Sequence, residues 1–165
     1  MALSAYLSLK GSKIGAIKGP VIQKGREGRI MVIAAGHEVR NVMAQAANRI
    51  VARNHTPFVI RKELDKSTPL LYGVWVANEM LTEWKLEFWA PNIRGVGNST
   101  EVQSYTITLT NARILSIQFV LPNTKDPELI RFSEYEEITF TYEKIEWVWK
   151  EGSITAADEW KSVGI

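Results

Sequence analysis

Between Ile138 and Trp149 the apolar side chains change step. Ile138, Phe140 and Tyr142 occupy even positions, whereas Ile145, Trp147 and Trp149 occupy odd ones. Side chains of a regular strand alternate strictly between its two faces, so one flat strand cannot bury both sets on the same side. The chain must bulge, bend or change sheet near Glu143-Lys144. A strand that crosses from one sheet to another at a barrel corner meets that condition.

The same period of two runs through most of the chain. Ala5, Leu7 and Leu9 alternate with Tyr6, Ser8 and Lys10, and Trp84, Leu86 and Phe88 alternate with Lys85 and Glu87. Gln103, Tyr105, Ile107 and Leu109 oppose Ser104, Thr106 and Thr108. Ile30 to Ala34 reads as a short buried strand, Phe58 to Leu64 as a strand entered through Pro57, and Arg113 to Leu121 as a strand after a turn at Asn111. Pro91 to Thr100 and Pro122 to Ser133 are loops, and Ile154 to Trp160 closes the chain. The single helix signal is Ser67-Thr68-Pro69, with Thr68 expected as N-cap and Pro69 at the first helical position, giving a helix over about Pro69–Asn78. These elements predict one mainly β domain over residues 1–165: two antiparallel sheets in a closed or partly open barrel, with one short α-helix.

One stretch fits neither period. Val42 to Arg53, carrying Met43, Ala44, Ala46, Ala47, Ile50 and Val51, is apolar and alternates poorly. It reads either as an arm covered only by another subunit, or as a short helix or hairpin capping the barrel. Both readings stand at this level.

Composition narrows the function. Twenty Lys and Arg against 18 Asp and Glu leave a net charge of +2, with no basic stripe of the kind nucleic-acid binders carry. Runs such as Arg61-Lys62-Glu63 read as solvated strand faces. There is no cysteine, so disulfides and thiolate metal sites are excluded. The two histidines, His37 and His55, match no metal-ligand spacing. No nucleophile elbow, phosphate loop or dinucleotide fingerprint occurs. Glu134, Glu136 and Glu137 read as an acidic strand entry that discourages edge pairing. Trp84, Trp147 and Trp149 fall on apolar strand faces and are expected in the core. Met1 to Gly11 lacks a basic n-region, and no apolar run approaches the roughly 20 residues that span a bilayer. The expectation is a cytoplasmic protein with no enzymatic activity and no cofactor.

Three segments carry a resemblance. Thr56-Pro57-Phe58-Val59-Ile60-Arg61-Lys62-Glu63-Leu64 leads into Asp65-Lys66-Ser67-Thr68-Pro69-Leu70-Leu71. Gly25 to Ile30 is followed by Ala35-Gly36-His37-Glu38-Val39, and Glu137 to Trp147 by Asp158-Glu159-Trp160. In this order they resemble the Hcp family, the inner-tube proteins of bacterial type VI secretion, over about Ala5 to Trp160. The resemblance implies a two-sheet barrel whose copies form six-membered rings that stack into a hollow tube. It implies ejection by a contractile sheath, a spike protein at the tip, small effectors in the lumen, and export without a signal peptide. It places the subunit or ring interface at Val42, Met43, Ala46, Ala47, Arg49, Ile50 and Val51, and the family helix start at Asp65, Lys66, Ser67, Thr68 and Pro69. A lumen face must be solvated, which nominates Lys85, Glu87, Ser104, Thr106 and Thr108. No long segment follows Trp160, so a fused toxin domain is not expected. A phage tail-tube protein is the alternative within structural proteins, and a lipocalin-like ligand barrel or a small hydrolase lies further off.

Overall fold

The computed structural model describes residues 3–44, 49–93, 95, 97 and 99–160. Within them, β1 (Ser4–Gly11), β2 (Gly15–Ile17) and β3 (Ile30–Val32) open the chain, followed by β4 (Ala34–Gly36), β5 (Val39–Ala44), β6 (Arg49–His55) and β7 (Phe58–Glu63). The helix α1 (Thr68–Val76) leads to β8 (Leu81–Pro91), β9 (Glu101–Thr110) and β10 (Arg113–Val120). The last strands are β11 (Tyr135–Thr141), β12 (Lys144–Trp149) and β13 (Ile154–Glu159). All pairings are antiparallel. One sheet of seven strands runs β13-β12-β9-β8-β1-β2 with β3 also on β1, and one of four runs β10-β11-β7-β4; β5 and β6 pair only with each other.

The change of step falls where the chain changes sheet. β11 buries Ile138 and Phe140 in the four-stranded sheet, and β12 buries Ile145 in the seven-stranded one. The crossing lies at Tyr142-Glu143. A second corner joins β9 to β10 at Asn111, whose backbone takes the left-handed conformation at φ 52°. The two corners are bonded to each other: Glu143 N–H donates to Thr110 O at 3.0 Å, and Asn111 Nδ2 donates to Glu143 Oε2 at 2.7 Å. A third crossing breaks the predicted Ile30–Ala34 strand in two. Ile30 and Val32 are buried in β3, but Ile33 is exposed, because there the chain leaves the larger sheet for the smaller.

Between the sheets, Trp84 is wholly buried and meets Phe58 and Phe140 edge-on, at ring separations of 4.9 and 5.6 Å. Leu7, Leu86, Ile60, Ile138 and Ile145 complete this core, and Leu71 and Val74 of α1 pack into it from one side. Trp149 departs from expectation. Near the end of β12 it lies beyond the reach of the second sheet and is 45 % exposed.

Two charged positions also depart from expectation. Lys62 and Glu136 are buried, at 0 % and 1 % exposure, and are partners across β7 and β11. Lys62 Nζ donates to Glu136 Oε1 at 2.8 Å, Glu63 O at 2.8 Å and Thr68 Oγ1 at 3.0 Å. Thr68 therefore does not act as the helix cap. Ser67 holds the N-cap position without a side-chain cap bond, and the Thr68 hydroxyl donates to Glu136 Oε1 at 2.9 Å. The buried ammonium needs three acceptors and takes the threonine as one of them. Replacing Lys62 by Met leaves the Glu136 carboxylate buried without its cation and should cost about 3–5 kcal/mol, whereas Lys62→Met with Glu136→Leu should recover most of that loss. Urea midpoints of the two variants check this.

Candidate functional site

The arm emerges as a free hairpin. β5 and β6 pair from Val39↔His55 to Ala44↔Arg49, with a register shift between Val42 and Met43. Seven residues of strand reach roughly 20 Å. Val39, Val42, Met43, Ile50 and Val51 are all exposed, between 42 % and 57 %. The hairpin form matches one expectation, but its apolar side chains are solvated and it does not cap the barrel. Arg49 is exposed beside them, and Ala46 and Ala47 lie outside the described residues.

Polar contacts fix the root of the arm. Glu38 and Thr56 close the ladder, each backbone N–H finding an oxygen of the other at 3.0 Å. His37 and His55, which flank the hairpin, converge on one hydroxyl. His37 Nε2 lies 2.6 Å from Tyr142 Oη, and His55 Nδ1 lies 3.0 Å from it. The other ring nitrogen of His55 meets Asp158 Oδ2 at 2.8 Å, and Arg53 meets Asp158 Oδ1 at 2.9 Å. His37 stacks on Phe58 and His55 on Trp160. Burial lowers the His37 pKa, helped by neighbouring His55, and burial raises that of Tyr142 far above the ordinary phenol. Asp158 is held down, first by its bond to His55. Chemically this is an anchor in which the phenol stays protonated. By spacing the two histidines match no metal site; their placement at the two ends of one hairpin is the signal that could have joined them.

The five nominated lumen positions do not behave alike. Lys85, Ser104 and Thr108 are half-buried, but Glu87 and Thr106 are only 2 % and 3 % exposed. The segment between β2 and β3 comes over this face. Arg29 pairs with Glu87, and the Arg26 guanidinium lies 4.8 Å from the Tyr6 ring and 4.5 Å from the Trp89 ring while pairing with Glu101. Glu87 and Thr106 are thus withdrawn from solvent, contrary to expectation, because a loop distant in sequence covers them. At the helix start, Asp65 Oδ1 accepts from Ser67 N–H at 2.7 Å, and Lys66 and Pro69 are exposed. An open cleft of about 460 Å³ lies between the sheets beside His37, bordered by Leu3, Val32, Phe58 and Trp147. A lipocalin-like cup would need a closed cavity, whereas this cleft is open and Trp84, Phe58 and Phe140 fill the centre of the core.

Two interlocked sheets, a flanking helix and a long exposed hairpin define an antiparallel β-barrel subunit with a projecting arm. A family model described as Type VI secretion system effector, Hcp, matches residues 6–149, and the chain belongs to that family. It is 32 % identical to a Major exported protein of Pseudomonas aeruginosa over 174 aligned positions, covering 98 % of each chain. Among solved structures it superimposes on Hcp1 of E. coli EAEC 042 with a TM-score of 0.81 at 29 % identity, covering 97 % of this chain and 100 % of that one. The secreted protein Hcp3 of Pseudomonas aeruginosa gives 0.77 at 29 % identity, covering 98 % and 100 %. A further Hcp crystal structure gives 0.85 at 24 % identity, covering 98 % and 99 %.

Tyr142→Phe removes the hydroxyl shared by both histidines and leaves buried nitrogens unpaired. A loss of about 1–3 kcal/mol is expected, read from a lower urea midpoint at unchanged slope.

Proposed function

We propose that this type VI tube subunit closes into rings of about six copies through its arm, and that rings stack along a common axis. The arm carries the reading. An isolated two-stranded hairpin is at best marginally stable in water, and this one exposes apolar side chains on both faces. Burial of Val42, Met43, Ile50 and Val51 against a neighbouring copy supplies what the barrel withholds, at about 25 cal/mol per Å² of apolar area removed from water. A ring whose contacts are head-to-tail leaves its axial faces free for the next ring. Of the nominated lumen residues, Lys85, Ser104 and Thr108 remain candidates to line the channel.

The partners follow from that architecture: a spike protein at the tip, a contractile sheath outside, and small effector proteins within. The subunit leaves the cell through the apparatus. The role is structural, since the family is one of secreted tube proteins and the two histidines serve as an anchor.

Sedimentation of the purified chain tests the reading. The expected species is about six times the monomer mass; a persistent monomer at high concentration overturns it. Ile50→Asp should shift the distribution to monomer while the circular dichroism and melting of the barrel stay unchanged. If Ile50→Asp unfolds the chain, the arm is part of the core instead.

A further inference from the structure

We propose that His37 makes the root of the arm a proton-sensitive joint, held while its imidazole is neutral and released when it is protonated. The joint is built from contacts within one chain. The ring reading above enters only through the consequence, which is that acidification frees the assembly element.

The Tyr142 hydroxyl has one proton to give and two acceptors in reach, His55 Nδ1 at 3.0 Å and Thr56 O at 3.3 Å. His37 Nε2, at 2.6 Å, meets the same oxygen as a donor. Asp158 is a carboxylate and accepts from His55 Nε2. A further proton on His37 enters at Nδ1.

The surroundings of His37 do not welcome that charge. Its ring stacks on Phe58 at 5.3 Å, and its centroid lies 6.1 Å from that of His55. The cleft beside it is lined by apolar Leu3, Val32 and Trp147. The charged groups nearby are committed: Asp158 on β13 is shared by His55 and Arg53, and Glu38 is paired with Arg40 at 2.9 Å. Tyr142, at the corner, is held protonated by burial. A charged His37 is therefore better solvated outside, and it can reach water because it is only half-buried. Its departure loosens the segment that enters β5, leaving the Tyr142 contacts with His55 Nδ1 and Thr56 O on the other side of the root.

The sign follows from the direction of the His37 shift. Its pKa in the anchored state lies below the ordinary 6.5, through burial and then through His55. Anchoring is complete above pH 6.5 and is lost as pH falls through the lowered value. Asp158 is shifted down from 3.8, so it stays ionised throughout this window.

Hydrogen exchange read by mass spectrometry, normalised to intrinsic rates at each pH, follows the arm directly. Between about pH 8 and pH 5, amides of residues 39–55 should lose protection by up to about tenfold per pH unit, the limit for one linked proton. β1, β8 and β9 should hold theirs. His37→Gln keeps a hydrogen-bonding group toward Tyr142 but cannot titrate, and its arm should not respond. Repeating both measurements in the Ile50→Asp background removes any contribution from neighbouring copies. The two histidines also give two ring-proton resonances by NMR, a readout of the unmodified chain. The His37 resonance should titrate below 6.5, in step with the loss of arm protection. Arm exchange that ignores pH, an equal response in His37→Gln, or a His37 pKa at or above 6.5 overturns the proposal. A chain that is monomeric at pH 8 yet loses arm protection on acidification retains the joint and refutes the ring; stable rings whose arm ignores pH do the reverse.

Discussion

At the corner where β11 becomes β12, one short turn serves four parts of the molecule. Tyr142 keeps the inward parity of β11 and is 5 % exposed, while the next residue begins the outward turn into the other sheet. The polar backbone of a turn that lies against the core has to find partners. Glu143 N–H finds Thr110 at the neighbouring corner, and Glu143 O accepts from Trp160 N–H at 2.7 Å in the last described segment. The Tyr142 hydroxyl then reaches both histidines at the root of the arm. The two sheets, the second corner, the end of β13 and the arm all depend on this one crossing. Shifting it by a residue would turn Ile145 outward and break every one of those contacts.

The barrel and the arm stand in opposite energetic positions. The barrel's core is continuous and anchored by Trp84 between two other aromatic rings, and it needs nothing from outside. The arm has hydrogen bonds along its ladder but no apolar face of its own to cover, because its non-polar residues point outward on both sides. A sheet of two strands lacks a second layer to exclude water. What completes it has to be another molecule, and in a self-assembling subunit the nearest candidate is a second copy.

Much of this was legible because it is local. The parity reversal at Glu143-Lys144 needs only counting, and Asp65 to Pro69 announces a strand end and a helix start whatever surrounds it. Lys62 and Glu136 were misjudged for a reason visible in the sequence itself. Lys62 shares parity with buried Phe58 and Ile60, and Glu136 shares it with Ile138 and Phe140. Charge outweighed position in the reading, although opposite charges at inward positions of two strands are what a buried pair requires. The covering of Glu87 and Thr106 belongs to another category. Their outward parity was right, and the segment carrying Arg26 and Arg29 lies far off in sequence. The histidine root was hidden likewise, since Tyr142 stands 105 residues from His37.

Both buried polar clusters sit where an element leaves the barrel. Lys62 and Glu136 hold Thr68, the first residue of α1, and Tyr142 holds the two histidines that bracket β5 and β6. Apolar side chains in these places would pack about as well, and removing buried ion pairs often costs no stability. What such side chains cannot do is fix a direction. Hydrogen bonds at 2.6 to 3.0 Å have preferred angles, whereas hydrophobic contact tolerates sliding. The proposed ring closes only if each copy presents its arm at the same angle to its neighbour. In that ring the polar residues stand at the two points where an error of orientation would spread from one subunit to the whole assembly.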